Sequence, residues 1–167
     1  MDRAAVVERI ESAWAPQPQP TKIAYDDTGH HLECLAVAKF FGGKTWNEVS
    51  WPVLSTYQGD RSSCLCFMSP EAFRYFLSSY MLIAVNDYSA ADVTGDSAWL
   101  SLELGERAVG FTPSQDAAIR TFVAYMSRTH QGSPTYTRAS VLSRWGVAPV
   151  ACQATLVGRR CRGLVES

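Results

Sequence analysis

Of the residue types that bind metals or carry protons, histidine occurs three times, as His30, His31 and His130. Neighbouring histidines point to different faces of any regular element, so His30 and His31 cannot clamp one metal ion as an i, i+4 pair does. They read as solvent-facing residues at a helix start. His130 falls at a helix end, where the dipole favours a cation. Cys64-Leu65-Cys66 is the next candidate. A zinc site needs four ligands, usually as two separated pairs, and no second pair exists. In extended structure both thiols would face the same way, inward, as buried free cysteines; a redox or metal role is the competing reading. The carboxylate clusters, Asp26-Asp27 and Glu103 with Glu106, fit solvated faces. There is no phosphate loop, nucleophile elbow or dinucleotide fingerprint. No cofactor and no metal are expected, and the chain leans away from enzyme chemistry.

Aromatic residues offer binding rather than catalysis. They gather near Trp46, Trp51, Tyr57, Phe67, Phe73, Tyr75 and Tyr80. Most belong in a core, but Trp and Tyr also concentrate at binding surfaces, as large rigid areas with a polar tip. Arg74 lies among them on an apolar helix. Three roles suit it: its stem against an aromatic face, a pair with an acid, or a contact to a ligand. Trp46, Trp51, Arg74, Tyr75 and Tyr80 are therefore the candidate binding residues.

These residues sit on an ordinary folded chain of 167 residues, 47% hydrophobic and 19% charged. A domain of this size buries roughly 70% of its unfolded surface, so it needs no staples. Fifteen basic residues against sixteen acidic ones argue against wholesale binding of nucleic acid. The balance is uneven: residues 1–130 carry ten basic and fifteen acidic side chains, residues 131–167 five arginines and one glutamate. A basic tail of this kind docks on an acidic partner, on nucleic acid or on its own acidic body. Five cysteines, an odd number, and an N-terminus without an apolar leader fit a reducing compartment, the cytoplasm. The longest strongly apolar stretch, 75–85, is too short to span a bilayer, so no membrane role is expected.

Local signals place the elements. Asp2 precedes a helix to Trp14 carrying Val6, Val7, Ile10 and Trp14, and Pro16, Pro18 and Pro20 impose an extended linker. A second helix follows Asp26-Asp27-Thr28 and stops at Gly42-Gly43. Thr45-Trp46-Asn47-Glu48 is a capping box ahead of a short helix, and Ser50-Trp51-Pro52 starts another turn. Ser69-Pro70-Glu71 opens the clearest helix; its apolar residues run nearly all round, which puts it at the centre. Residues 86–96 read as a loop. Ala98, Leu100, Leu102 and Leu104 then alternate with polar partners as in a strand, though a short helix through Trp99, Leu100 and Glu103 fits too. Thr112-Pro113-Ser114-Gln115 is a second capping box, opening a helix to Arg128. Ala139 to Trp145 suits a short helix and 150–157 a strand. The expected fold class is mainly α: a single compact helical domain, with a small β-hairpin near 98–111. Residues 1–132 form the helical core domain. Residues 133–167 form a basic C-terminal extension, packed on it or partly flexible.

Three segments, Phe40-Phe41-Gly42-Gly43-Lys44-Thr45-Trp46, Phe67 to Met81 and Phe111-Thr112-Pro113-Ser114-Gln115, give the chain a family look. Over about residues 31–128 it resembles an uncharacterised bacterial family of small proteins. That family shares a Trp after a Phe-Gly turn, a Ser-Pro-Glu-x-Phe-x-Tyr helix start and a Thr-Pro-x-Gln helix start. Phe76 and Ser78 stand where the family often has tyrosine and proline. The resemblance implies a fold and brings no activity. Small size, an acidic body and the lack of catalytic groups lead to the expectation of a protein-binding module, a bacterial immunity protein that neutralises a cognate toxin by direct binding. The alternative is a small-molecule binder or enzyme with a pocket near Trp46, Arg74 and Tyr75. A third option is an adaptor that uses the basic tail.

Overall fold

A computed structural model describes residues 2–26, 28–103, 110–130 and 139–148. Helix α1 (Arg3–Trp14) begins where the Asp2 carboxylate accepts the Ala5 N–H at 2.9 Å, satisfying an otherwise orphaned donor. Its Val6, Ile10, Ala13 and Trp14 are buried on one side. Helix α2 (Leu32–Phe41) ends at Gly42-Gly43, and both glycines are needed there. A Cβ on Gly42 would lie 2.7 Å from the Ala38 carbonyl oxygen, and Gly43 has φ +76°. A 3-10 turn (Trp46–Glu48) and the four-residue helix α3 (Trp51–Leu54) follow, then a second 3-10 turn (Cys64–Phe67).

Helix α4 (Pro70–Asn86) is the centre. Twelve of its seventeen residues are buried, on every side, as its apolar circumference requires. Burial of Phe73, Phe76 and Met81 stabilises by roughly 1.5–3 kcal/mol each. Its start is locked by Ser69, whose Oγ accepts the Ala72 N–H at 3.1 Å and donates to the Lys22 carbonyl at 2.6 Å. One hydroxyl thus caps the helix and ties down the proline-rich linker. The adjacent antiparallel bridge between Ala24 and Met68 holds the same segment. Polar groups buried in α4 find backbone partners, as desolvated hydroxyls must. Ser79 Oγ donates to the Trp46 carbonyl at 2.6 Å, and Tyr80 Oη to that of Arg61 at 2.9 Å.

Helices α5 (Tyr88–Ala91) and α6 (Val93–Glu103) occupy what the sequence assigns to a loop and the first strand of a hairpin. The correction has a physical reason. The alternating leucines mislead, because the buried residues are Thr94, Gly95, Ser97, Ala98, Trp99 and Leu102, a broad helical face toward α4, while Leu100 is on the outside. Gly95 permits the turn, since a Cβ there would sit 2.8 Å from the Tyr88 ring. The return half of that hairpin, 104–109, lies outside the described residues, as does the proposed strand at 150–157.

Helix α7 (Pro113–Thr129) carries the expected capping box. Thr112 N–H donates to Gln115 Oε1 at 3.0 Å, and Gln115 N–H to Thr112 Oγ1 at 3.2 Å. It packs along α1, which in turn lies on α4. Helix α8 (Ala139–Arg144) rests on α6 and α7 through Val141 and Leu142; residues 133–138 and 149–167 of the basic extension lie outside the described residues. The protein is thus mainly helical, and the described residues contain no strand, only the one bridge. Among them no helix is long and apolar enough to cross a membrane.

Candidate functional site

The five candidate residues do not converge on one surface. Tyr80 is fully buried, a strut between α4 and the Arg61 segment; desolvation pushes its phenol well above the ordinary tyrosine range. Trp51 is half-buried against the core at the start of α3. Arg74 and Tyr75 are neighbours on α4, so their side chains leave the helix about 100° apart. Arg74 runs beside Gly110, its Nη1 3.7 Å from where a Cβ on that glycine would lie. Helix α1 sits close by, with the Trp14 indole N–H donating to the Arg74 carbonyl at 2.7 Å. Tyr75 points the other way, to Trp46.

Trp46 and Tyr75 do meet. They line a groove of about 710 Å³ between α1 and the first 3-10 turn, whose other walls include Glu8, Glu11, Ser12 and Asn47. The sequence builds this wall locally. Glu48 Oε2 accepts the Thr45 N–H at 2.6 Å and the Thr45 hydroxyl at 2.7 Å, which closes the turn, and Ser79 anchors the Trp46 carbonyl to α4. The Tyr75 phenol, raised by burial, takes a hydrogen bond from the Trp46 backbone and packs edge-on against Phe76 at 5.0 Å.

The electrostatics are one-sided. Glu8 and Glu11 are exposed and make no ion pair or hydrogen bond with a described residue. The hydrogen bonds from Thr45 hold the Glu48 carboxyl below the usual range, so a third negative charge stands next to the groove at neutral pH. Two cations stand nearby, and Lys44 offsets part of the Glu48 charge. Arg9 Nη1 donates to Thr121 Oγ1 at 3.2 Å, while Lys44 bonds the Phe40 carbonyl and sits 4.7 Å over that ring. A second depression of about 440 Å³ on the α7 side of α1 shares Glu8 and Ser12 with the groove. Arg9 lines that second depression too, so it is the groove side of α1 that can hold a cationic, partly apolar segment laid across it.

Glu8 and Glu11 do not stand out in the sequence. Their i, i+3 spacing on the polar face of α1 is visible there, but their position across from Trp46 depends on packing between distant segments.

The remaining candidates separate. The Cys64–Phe67 segment is a 3-10 turn rather than extended chain, so the two thiols do not share a face. Cys64 is buried and Cys66 exposed, which corrects the expectation that both point inward. Burial pushes the Cys64 thiol up to about 11. His31 Nε2 lies 3.7 Å from Asp26 Oδ2, at the exposed start of α2. His130 sits at the C-terminus of α7 as expected, but burial lowers its pKa, against the cation the dipole favours; its ring packs 4.1 Å from that of Tyr88, whose hydroxyl donates to Asp96 at 3.1 Å. Among the described residues no group of three His, Cys, Asp or Glu side chains is placed to hold a metal ion.

Compared with known proteins, the chain matches no family model, no curated protein and no solved structure.

Proposed function

We propose that this chain is a protein-binding module, an immunity protein that neutralises a cognate toxin by binding it directly, with a basic segment of the toxin seated in the groove between α1 and the Trp46 turn. The observation that carries this reading is the pair of unpartnered carboxylates, Glu8 and Glu11, facing the Trp46 and Tyr75 wall. Unpaired surface charges of one sign repel each other mildly in a free protein and become useful when a partner of opposite sign arrives. The excess of acid over base in residues 1–130 adds long-range steering toward a basic domain. The same charge repels phosphates, which disfavours nucleic acid as the occupant. Co-expression with basic domains encoded beside its gene is the test. A stable complex that protects the host cell from the neighbouring toxin supports the proposal; no complex and no protection count against it.

The second reading, a small-molecule site, is favoured by the groove's volume, which falls within the roughly 300–1,000 Å³ typical of ligand pockets. Its ligand would be a cation held by Glu8 and Glu11, because Arg74 does not line the groove. Thermal shift with small amines, repeated on Glu11→Gln, separates this reading from the first.

A further inference from the structure

Helix α2 buries Cys34, Val37 and Phe41 and leaves a second apolar strip exposed on its opposite side. Leu32 is 76% exposed and Leu35 43%, Ala36 is exposed, and Phe40 closes the strip as a half-buried ring packed on Phe41 and Tyr57 with Lys44 over it. Isolated exposed leucines need no explanation. These residues, however, form rows. Leu32, Ala36 and Phe40 follow one another at i, i+4, i+8, and Leu35 with Lys39 makes the parallel row beside them. Rows of i±4 residues are the ridges along which two helices most often pack. Tyr25, 41% exposed, leans on the His31 ring at 6.1 Å and extends the patch beyond the start of the helix.

The charges flanking the row are arranged as a self-complementary pair. Glu33 stands on one side near the N-terminal end and Lys39 on the other side near the C-terminal end. Both are exposed, and neither bonds a described residue. A twofold axis lying along the Leu32–Ala36–Phe40 row reverses the line from Glu33 to Lys39. It therefore brings Glu33 of each copy to Lys39 of the other, while Ala36, the smallest side chain in the row, faces its own equivalent and lets the helices approach closely. A surface that meets itself in this way is what a twofold dimer requires.

We propose that α2 is the contact by which two copies of this chain pair, with the helices crossing steeply at Ala36. A single ten-residue helix with Tyr25 at its edge offers less area than a standard stable interface, so the pairing is weak and reversible. It uses a different face from the groove and stands independently of the function proposed there.

Sedimentation velocity of the full chain, from about 5 to about 500 µM at low salt, tests it. The expected result is a monomer–dimer equilibrium within that range. Leu32→Asp, on an exposed side chain that the fold does not need, should raise the dissociation constant about tenfold or more. Glu33→Lys and Lys39→Glu should each weaken pairing several-fold, and the two together should restore it, because the swapped charges again face each other. A single monomeric species throughout the range would overturn the proposal. So would a dimer indifferent to Leu32→Asp, or a double variant no better than the single ones.

Discussion

Ser69 shows how much a single hydroxyl does in this protein. It accepts the Ala72 amide and donates to the Lys22 carbonyl while only 6% exposed, so its removal loses a helix cap and a hydrogen bond to the linker. Ser69→Ala should lower stability by about 2 kcal/mol, a cap of ~1 and a net hydrogen bond of ~1. Equilibrium urea unfolding will measure it. The helix start is written locally in Ser69-Pro70-Glu71; the second bond reaches back across the chain to residue 22, and no local rule points to it. The cysteines make the same distinction. Cys64-Leu65-Cys66 has alternating spacing, yet the turn it adopts buries one thiol and exposes the other. With Cys64 buried and its thiol near 11, almost none is thiolate at pH 8. Peptide-level labelling of the native chain with iodoacetamide should modify Cys66 readily and leave Cys64 untouched.

Among the elements, α1, α4 and α7 were legible from their cap sequences, and α2 and α8 from their apolar spacing, although the α2 N-cap His31 makes no side-chain bond; α5 and α6 were not. Helices α1, α4 and α7 begin at Asp2, Ser69 and Thr112, each side chain bonding a backbone amide in its first turn. Helix α6 has no such signal; its leucine alternation imitates a strand, and only packing on α4 decides otherwise. The assignment makes a sharp prediction. Leu102→Ala should cost about 2–5 kcal/mol and Leu100→Ala less than about 1, because one is buried and the other at the surface. On a strand the two would share a face and cost alike. The Trp46 turn has a pH signature. Hydrogen bonds from Thr45 lower the Glu48 pKa, so its stabilising contribution is fully present above the ordinary glutamate value and fades as pH falls through the lowered one. Glu48→Gln should remove that part of the acid dependence, visible as a smaller loss of the urea midpoint between about pH 7 and pH 3.

At the scale of the molecule, α4 organises the fold and leaves function to the surfaces around it. The candidate residues separate in the structure: Trp46 and Tyr75 are buried core residues whose edges line the groove, Tyr80 is buried outright, Trp51 is half-buried, and Arg74 departs in another direction. Residue type alone cannot separate these roles, since a buried strut and a binding wall draw on the same side chains. Glu8 and Glu11, the residues that give the groove its sign, look like any solvated helix face until α1 is laid opposite Trp46. On the proposed function, this acidic wall is where a basic protein partner binds. The most direct measurement is the Kd of the complex with the co-expressed toxin domain, for the wild-type chain and for the double substitution Glu8→Lys, Glu11→Lys, at low and high salt. The predicted result is a loss of about a hundredfold at low salt, shrinking at high salt, with an unchanged melting temperature. An affinity that stays the same in the double variant would contradict the account.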